Sequence, residues 1–229
     1  MIRIVFQGDS ITDGNRYKEI EQRWDKNHQI GHSYVFSIAS YLGKKHPGKY
    51  EIINRGVSGN GVTQLFDRWQ VDTLDEHPDI LSILVGINEI KPDLSEGLDV
   101  HLRLFEANYR ALLDSALAQN PNLKLIIMEP FMLPVGMVFN YCTGTLPPLD
   151  RRQEIIKKIA KDYNAIYIPL QQKINMLVEE TADTLKAAGW EREPGEYWLW
   201  DGIHPTEQLH GYIAELWLEA SAEILSQFV

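Results

Sequence analysis

Five short apolar runs punctuate the chain, at 2–6, 50–54, 80–85, 124–128 and 165–168. The third, Ile80-Leu81-Ser82-Ile83-Leu84-Val85, and the fourth, Leu123-Lys124-Leu125-Ile126-Ile127-Met128, are almost continuously apolar. That is the pattern of strands covered on both faces. Between the runs, apolar residues recur at helical spacing over 34–42, 65–74, 102–117, 155–163, 174–185 and 209–224. Strands alternating with helices predict a parallel sheet wrapped by helices, with right-handed crossovers. The expected fold is therefore α/β: one domain over residues 1–229, three layers (α/β/α), with five parallel strands in the flavodoxin-like order 2-1-3-4-5. Residues 13–32, 130–149 and 187–201 are polar or rich in Gly and Pro and read as loops. The first two follow strand ends and the third precedes the last helix. All three are placed to frame the crevice at the carboxyl edge of the sheet, although ordinary surface insertions would look the same.

Composition narrows the function classes. Apolar residues make up 44% and charged residues 24%, which excludes disordered and fibrous chains. A formal net charge of −10 argues against nucleic acid, whose binding needs clustered cations, and against adsorption to anionic membranes. A neutral or cationic small molecule is the easier partner. The N-terminal apolar run is too short for a signal peptide or a membrane span, and no later run approaches the length of a span. Cys142 is the only cysteine, so no internal disulfide can form, and a lone thiol suits a reducing cytoplasm. Its setting, Asn140-Tyr141-Cys142-Thr143-Gly144, matches no cysteine-protease signature and reads as a bystander. The expectation is a soluble cytoplasmic protein.

Four places carry candidate chemistry. The first strand runs into Gly8-Asp9-Ser10, which puts a hydroxyl at the strand's carboxyl end, where open α/β sheets bind ligands. Ser10 there is a candidate nucleophile; Asp9 and Ser10 are also ordinary helix caps. The second strand leads into Asn54-Arg55-Gly56-Val57-Ser58-Gly59-Asn60-Gly61-Val62-Thr63. This is not a phosphate loop, because Val62 stands where the lysine is required. It is not a nucleophile elbow around Ser58 either, because Asn60 replaces the final glycine. A glycine-rich turn remains, either a plain tight turn or one that aims the Gly59 N–H at a developing oxyanion. The third strand ends in Gly86-Ile87-Asn88, whose amide either closes a turn or offers a second such donor. Near the C-terminus, Asp201 precedes His204 by three residues on a turn stiffened by Pro205. Such a pair can orient an imidazole beside a carboxylate, or simply cap the following helix.

Taken in order, Gly8-Asp9-Ser10-Ile11-Thr12, the Gly59 turn, Gly86-x-Asn88 and Asp201-x-x-His204 resemble the four blocks of the SGNH (GDSL) esterases, from residue 8 to residue 205. The resemblance implies Ser10 as nucleophile, His204 as general base and Asp201 as its orienting carboxylate. It likewise implies an oxyanion hole from the Ser10 and Gly59 N–H groups and the Asn88 amide. Glu89 departs from the family's usual Asp, which predicts a changed loop contact and intact chemistry. Residues 54–60, Asp67-Arg68-Trp69 and the long loop before Tyr34 look most like the bacterial intracellular carbohydrate acetylesterases that deacetylate xylan or xylo-oligosaccharides. The expected substrate is then a short acyl ester on a sugar, with Asp9, Arg55, Trp190, Trp198 and Trp200 as candidate substrate contacts; tryptophans near loops close a core just as readily. A lipid esterase, lysophospholipase or thioesterase of the same fold would need a long apolar groove, for which Phe131, Met132, Leu133, Val135 and Met137 are the candidate lining. A non-catalytic carbohydrate-binding module is the third reading, disfavoured because no catalytic position is lost. No cofactor is implied, and the seven histidines include no H-E-x-x-H pair. Tryptophans and tyrosines near the loops leave room for a homo-oligomer.

Overall fold

A computed structural model describes residues 1–18, 29–90, 97–141, 144 and 149–228. Its centre is a five-stranded parallel sheet of β1 (Ile2–Gly8), β2 (Tyr50–Asn54), β3 (Ile80–Leu84), β4 (Lys124–Met128) and β5 (Ile166–Ile168), in the order β2-β1-β3-β4-β5. β1 pairs with β2 in the register Ile4↔Ile52 and with β3 in the register Phe6↔Ser82. The first strand is thus interior, and its carboxyl end lies between the ends of β2 and β3. Both the strand order and the wrapping by helices are those expected from the sequence.

Alternate residues of the central strands feed two cores. Ile4, Phe6, Ile80, Leu84, Ile126 and Met128 pack under α2 (Tyr34–Lys45), α7 (Leu170–Ala187) and α9 (Glu207–Ser226). Val5, Leu81, Ile83, Leu125 and Ile127 pack under α3 (Val62–Trp69), α4 (Leu98–Gln119) and α6 (Asp150–Asp162). Burial on both faces explains the near-continuous apolar runs. Ser82 is the polar interruption in the third run, and it has a partner: the buried indole of Trp217 on α9 donates to its Oγ at 3.0 Å.

Several elements depart from the expected boundaries, each for a physical reason. β1 continues through Gln7 because the buried amide is satisfied by the Asp72 carbonyl and Thr73 Oγ1, both at 2.8 Å. Those acceptors sit on a π turn, Gln70–Leu74, into which the predicted 65–74 helix changes after Trp69. Two helices fall inside stretches read as loops: α5 (Gly136–Tyr141) and α8 (Pro194–Trp198). Each is five or six residues long, too short to set up an apolar period. Cys142, Pro147 and Pro148, and residues 19–28 of the first predicted loop, lie outside the described residues. Among the described residues no helix is long and apolar enough to cross a membrane.

The Trp217–Ser82 bond gives a direct check on this core. Ser82→Ala leaves a buried indole N–H without its acceptor, and should lower unfolding stability by about 1–3 kcal/mol in urea titration. A change within about 0.5 kcal/mol, the usual range of an innocuous surface substitution, would contradict that account.

Candidate active site

β1 ends at Gly8, and a helix of one turn, α1 (Ser10–Asp13), begins at once. Gly8 is obligatory here, since a Cβ would overlap the Thr12 side chain and the Leu84 carbonyl. Asp9 caps α1, its carboxylate accepting the Ile11 N–H at 3.0 Å. At the first helical position the Ser10 N–H has no intrahelical acceptor. Across 194 positions of sequence, Ser10 Oγ lies 2.8 Å from His204 Nε2. His204 Nδ1 in turn lies 2.6 Å from Asp201 Oδ2.

The loop that carries Asp201 and His204 is rigid by construction. An isolated antiparallel bridge pairs Leu199 with Pro205 and closes its neck. Asp201 Oδ1 accepts the Ile203 and His204 N–H groups at 2.9 and 2.7 Å, leaving Oδ2 for the ring. The segment ahead of α5 lies against the same loop: the Leu133 N–H donates to the Gly202 carbonyl and the Val138 N–H to the Asp201 carbonyl, both at 2.9 Å. Two left-handed glycines permit the approach. A Cβ on Gly136 (φ +64) would stand 2.8 Å from Asp201 Cα, and one on Gly202 (φ +99) 2.6 Å from the Val135 carbonyl oxygen.

The β2 and β3 ends meet beside Ser10. The Val57 N–H donates to the Gly8 carbonyl at 3.0 Å, which ties the second glycine turn to the first. Ser58 bonds Asp13 Oδ2 through both its N–H (3.0 Å) and its hydroxyl (2.8 Å). Gly59 follows at φ +82, exposed and touching nothing through its α-carbon. Asn88 opens a 3₁₀ turn, Asn88–Ile90, and its amide donates to the Asn60 carbonyl at 2.9 Å. One amide hydrogen is thereby fixed and the other is free to face the crevice. Glu89 accepts the Val62 N–H at the start of α3.

Electrostatics sort the titratable groups. Burial alone would push the Asp201 carboxyl up, but bonds from the His204 ring, the His204 N–H and the Ile203 N–H hold it below its ordinary value. His204 is raised, chiefly by its bond to Asp201, against burial and with help from the Asp201 and Asp9 charges. Burial pushes Asp9 up to about 7. Glu89 is raised for the same reason.

The candidate substrate contacts divide. Trp200 is 53% exposed and stacks on the His204 ring, centroids 5.7 Å apart and planes 20° from parallel. Trp198 is instead structural, its indole N–H bonded to Thr181 Oγ1 and its ring packed edge-on against Tyr197. Trp190 packs on the other side of Tyr197 and donates to the Glu193 carbonyl. The Arg55 guanidinium turns away to an ion pair with Glu76, and only its carbonyl joins the network near the site. Asp9 is 1% exposed and serves as a cap. Each of these four residues has a partner inside the fold. Gln7, Asp13, Asn54 and Arg68, which sequence reasoning did not place at the site, hold the two glycine turns together. Asp13 and Asn54 flank the two motifs, which was the one available signal. Among the described residues no three His, Cys, Asp or Glu side chains could hold a metal ion.

A hydroxyl, an imidazole and a carboxylate stand in line at the carboxyl edge of a parallel sheet in a three-layer α/β/α fold, an arrangement that suits serine-hydrolase chemistry. The chain belongs to the GDSL-like lipase/acylhydrolase family, whose profile matches residues 6–212, and it is a carboxylic ester hydrolase. It is 30% identical over 223 residues to an acetylxylan esterase of Geobacillus stearothermophilus, covering 94% of this chain and 92% of that one. The solved structure of that bacterium's acetylxylan esterase Axe2 superposes with a TM-score of 0.71 at 26% identity, over 96% of this chain and 93% of the other. A GDSL-like lipase candidate from Parabacteroides merdae reaches 0.79 at 33% identity, over 96% and 95%. Two solved variants of Axe2, one with a serine and one with a histidine replaced by alanine, are described as catalytic mutants.

The His204 shift sets a pH prediction. Only neutral imidazole accepts a proton, and the Asp201 bond raises the pH at which it becomes neutral. The acid limb of kcat/KM should therefore have its midpoint above the ordinary histidine value of about 6.5. Asp201→Asn should move that limb down while lowering kcat by roughly 10⁴-fold. A wild-type limb at or below 6.5, or an Asp201→Asn enzyme of near-normal kcat, would contradict this electrostatic picture.

Proposed function

We propose that the protein is a cytoplasmic serine esterase that removes short acyl groups, acetyl above all, from a sugar or oligosaccharide. The observation that carries the reading is the Ser10–His204–Asp201 chain with an exposed tryptophan stacked on its imidazole. The face of Trp200 turned away from His204 is a flat apolar surface beside the nucleophile, of the kind a sugar ring covers. The kinship with an acetylxylan esterase over most of both chains points the same way. The lone thiol and the net charge of −10 suit a reducing compartment and an uncharged substrate.

In the proposed reaction Ser10 Oγ attacks the acyl carbonyl as its proton passes to His204 Nε2, and Asp201 stabilises the imidazolium. The oxyanion of the tetrahedral intermediate takes hydrogen bonds from the Ser10 N–H, the Gly59 N–H and the Asn88 amide. When the intermediate collapses, the C–O bond to the sugar breaks and its oxygen leaves with the proton from His204. The acyl group then remains as an ester of Ser10. Water, deprotonated by His204, attacks that ester, and its collapse returns the proton to Ser10 Oγ and frees the carboxylic acid. Each oxyanion donor contributes about 3 kcal/mol, so Asn88→Ala should lower kcat by roughly two to three powers of ten.

The lipid-acyl alternative loses its groove. Of its five candidate lining residues, Phe131, Met132, Leu133 and Val135 are buried beneath the catalytic loop, and only Met137, at 63%, is exposed. We expect nitrophenyl acetate to be cleaved faster than nitrophenyl octanoate, and acetate to be released from acetylated mono- and oligosaccharides by the wild type but not by Ser10→Ala. Faster octanoyl turnover would overturn the sugar-acetate assignment. Full activity in Ser10→Ala would overturn the mechanism.

A further inference from the structure

Arg68 stands one layer behind the proposed oxyanion donors, on the last turn of α3, with a side chain only 17% exposed. Its guanidinium makes five hydrogen bonds. Nε donates to Asn60 Oδ1 at 2.7 Å. Nη1 donates to Gln7 Oε1 at 2.9 Å, the Arg55 carbonyl at 2.7 Å and Asp72 Oδ2 at 2.9 Å. Nη2 donates to the Gly8 carbonyl at 3.2 Å. Asp72 alone among these acceptors carries charge, and it balances the cation. The other four acceptors are neutral oxygens at the end of β1, the end of β2 and in the turn between β2 and α3.

Those acceptors lie next to the groups the mechanism needs. The Gly8 carbonyl is two residues before the Ser10 N–H. Asn60 adjoins Gly59, and its main-chain carbonyl receives the Asn88 amide. A Cβ on Gly59 would meet nothing within 4 Å beyond its chain neighbours, so on that side the turn is open. The residues that flank Gly59 are the ones held: Ser58 by Asp13, and Asn60 by Arg68. A planar guanidinium with five donors can fix three segments at once, which a lysine ammonium cannot.

We propose that Arg68 is a positioning residue for the oxyanion hole: through Asn60 and the Gly8 carbonyl it sets the Gly59, Asn88 and Ser10 donors at one fixed mutual geometry. The proposal rests on the mechanism given above. Arg68 acts only through those donors, so its loss should weaken the transition state and spare ground-state binding of the ester.

The test is a double-mutant cycle on the full chain with nitrophenyl acetate, using Arg68→Lys, Asn88→Ala and their combination. Arg68→Lys should lower kcat by about 10–100-fold while KM stays within about threefold, the signature of an interaction made only in the transition state. In the Asn88→Ala background the same substitution should cost less than about a third of that factor, because both act on one unit. An Arg68→Lys enzyme with kcat within about threefold of wild type overturns the proposal, as does a loss in the Asn88→Ala background within about threefold of the loss in wild type. If circular dichroism shows Arg68→Lys unfolded at the assay temperature, Asn60→Ala takes its place under the same criteria. It removes the acceptor of Arg68 Nε and keeps the main-chain carbonyl that holds Asn88. Full kcat in Asn88→Ala itself would reject the underlying mechanism, an outcome distinct from additivity in the cycle.

Discussion

The proposed chemistry depends on the meeting of Ser10 with His204, which joins the first turn of the chain to the last loop. Neither residue can be placed by its neighbours in sequence. Ser10 is fixed because β1 is an interior strand, paired on both sides, so its carboxyl end is held between those of β2 and β3. His204 is fixed because the helix that follows it is fastened to the same strand and to α2. Trp217 packs on Phe6, ring centroids 5.2 Å apart, and bonds Ser82 on β3. One turn into α9, His210 Nδ1 accepts the Tyr34 N–H at the start of α2, 3.1 Å away. Burial pushes His210 down to about 4, so at neutral pH it stays uncharged and keeps that acceptor lone pair. The hydroxyl of Tyr34 then meets Thr12 Oγ1 at 3.0 Å, which brings the network back to the turn that carries Ser10.

Around that contact the loops are held by close backbone approach more than by side-chain packing. The Gly136 and Gly202 segments interlock on one side of His204. On the other side, the Asn54 amide donates to the Thr12 carbonyl at 2.7 Å and its oxygen accepts the Gly56 N–H at 2.9 Å, so the first and second glycine turns share one polar seam. Arg68 and Asp13 complete that seam from below and above. Buried polar networks of this kind are stable only when nearly every member is satisfied. In the proposed mechanism their role is geometric: they hold the donors that an oxyanion needs in place before any ester arrives.

Much of this was legible in the residues alone. Five apolar runs predicted five strands because each central strand is covered on both faces, and the flavodoxin-like order expected for them is the one observed. The strand end that carries Ser10 and the loop that carries Asp201 and His204 were legible, and the fold brings the three side chains together. The support behind them was not. Arg68 stood out only within Asp67-Arg68-Trp69, and its contacts stay hidden until the three segments it joins are seen side by side. The partners of Arg55, Asp9, Trp190 and Trp198 were equally hidden, since a polar or aromatic residue beside a motif gives no hint that Glu76, a helix amide, Tyr197 or Thr181 already meets it. Short helices such as α5 and α8 stay invisible to periodicity because they end before a second apolar turn can declare itself.

The most direct measurement is covalent trapping of the nucleophile. A fluorophosphonate reacts with a serine only when an adjacent base accepts its proton and an oxyanion site holds the phosphoryl oxygen. Mass spectrometry of the wild-type protein should find a single adduct, on the peptide that contains Ser10, and His204→Ala should slow its formation by at least about a thousandfold. An adduct on any other residue, or labelling of Ser10 at an undiminished rate without His204, would contradict the account.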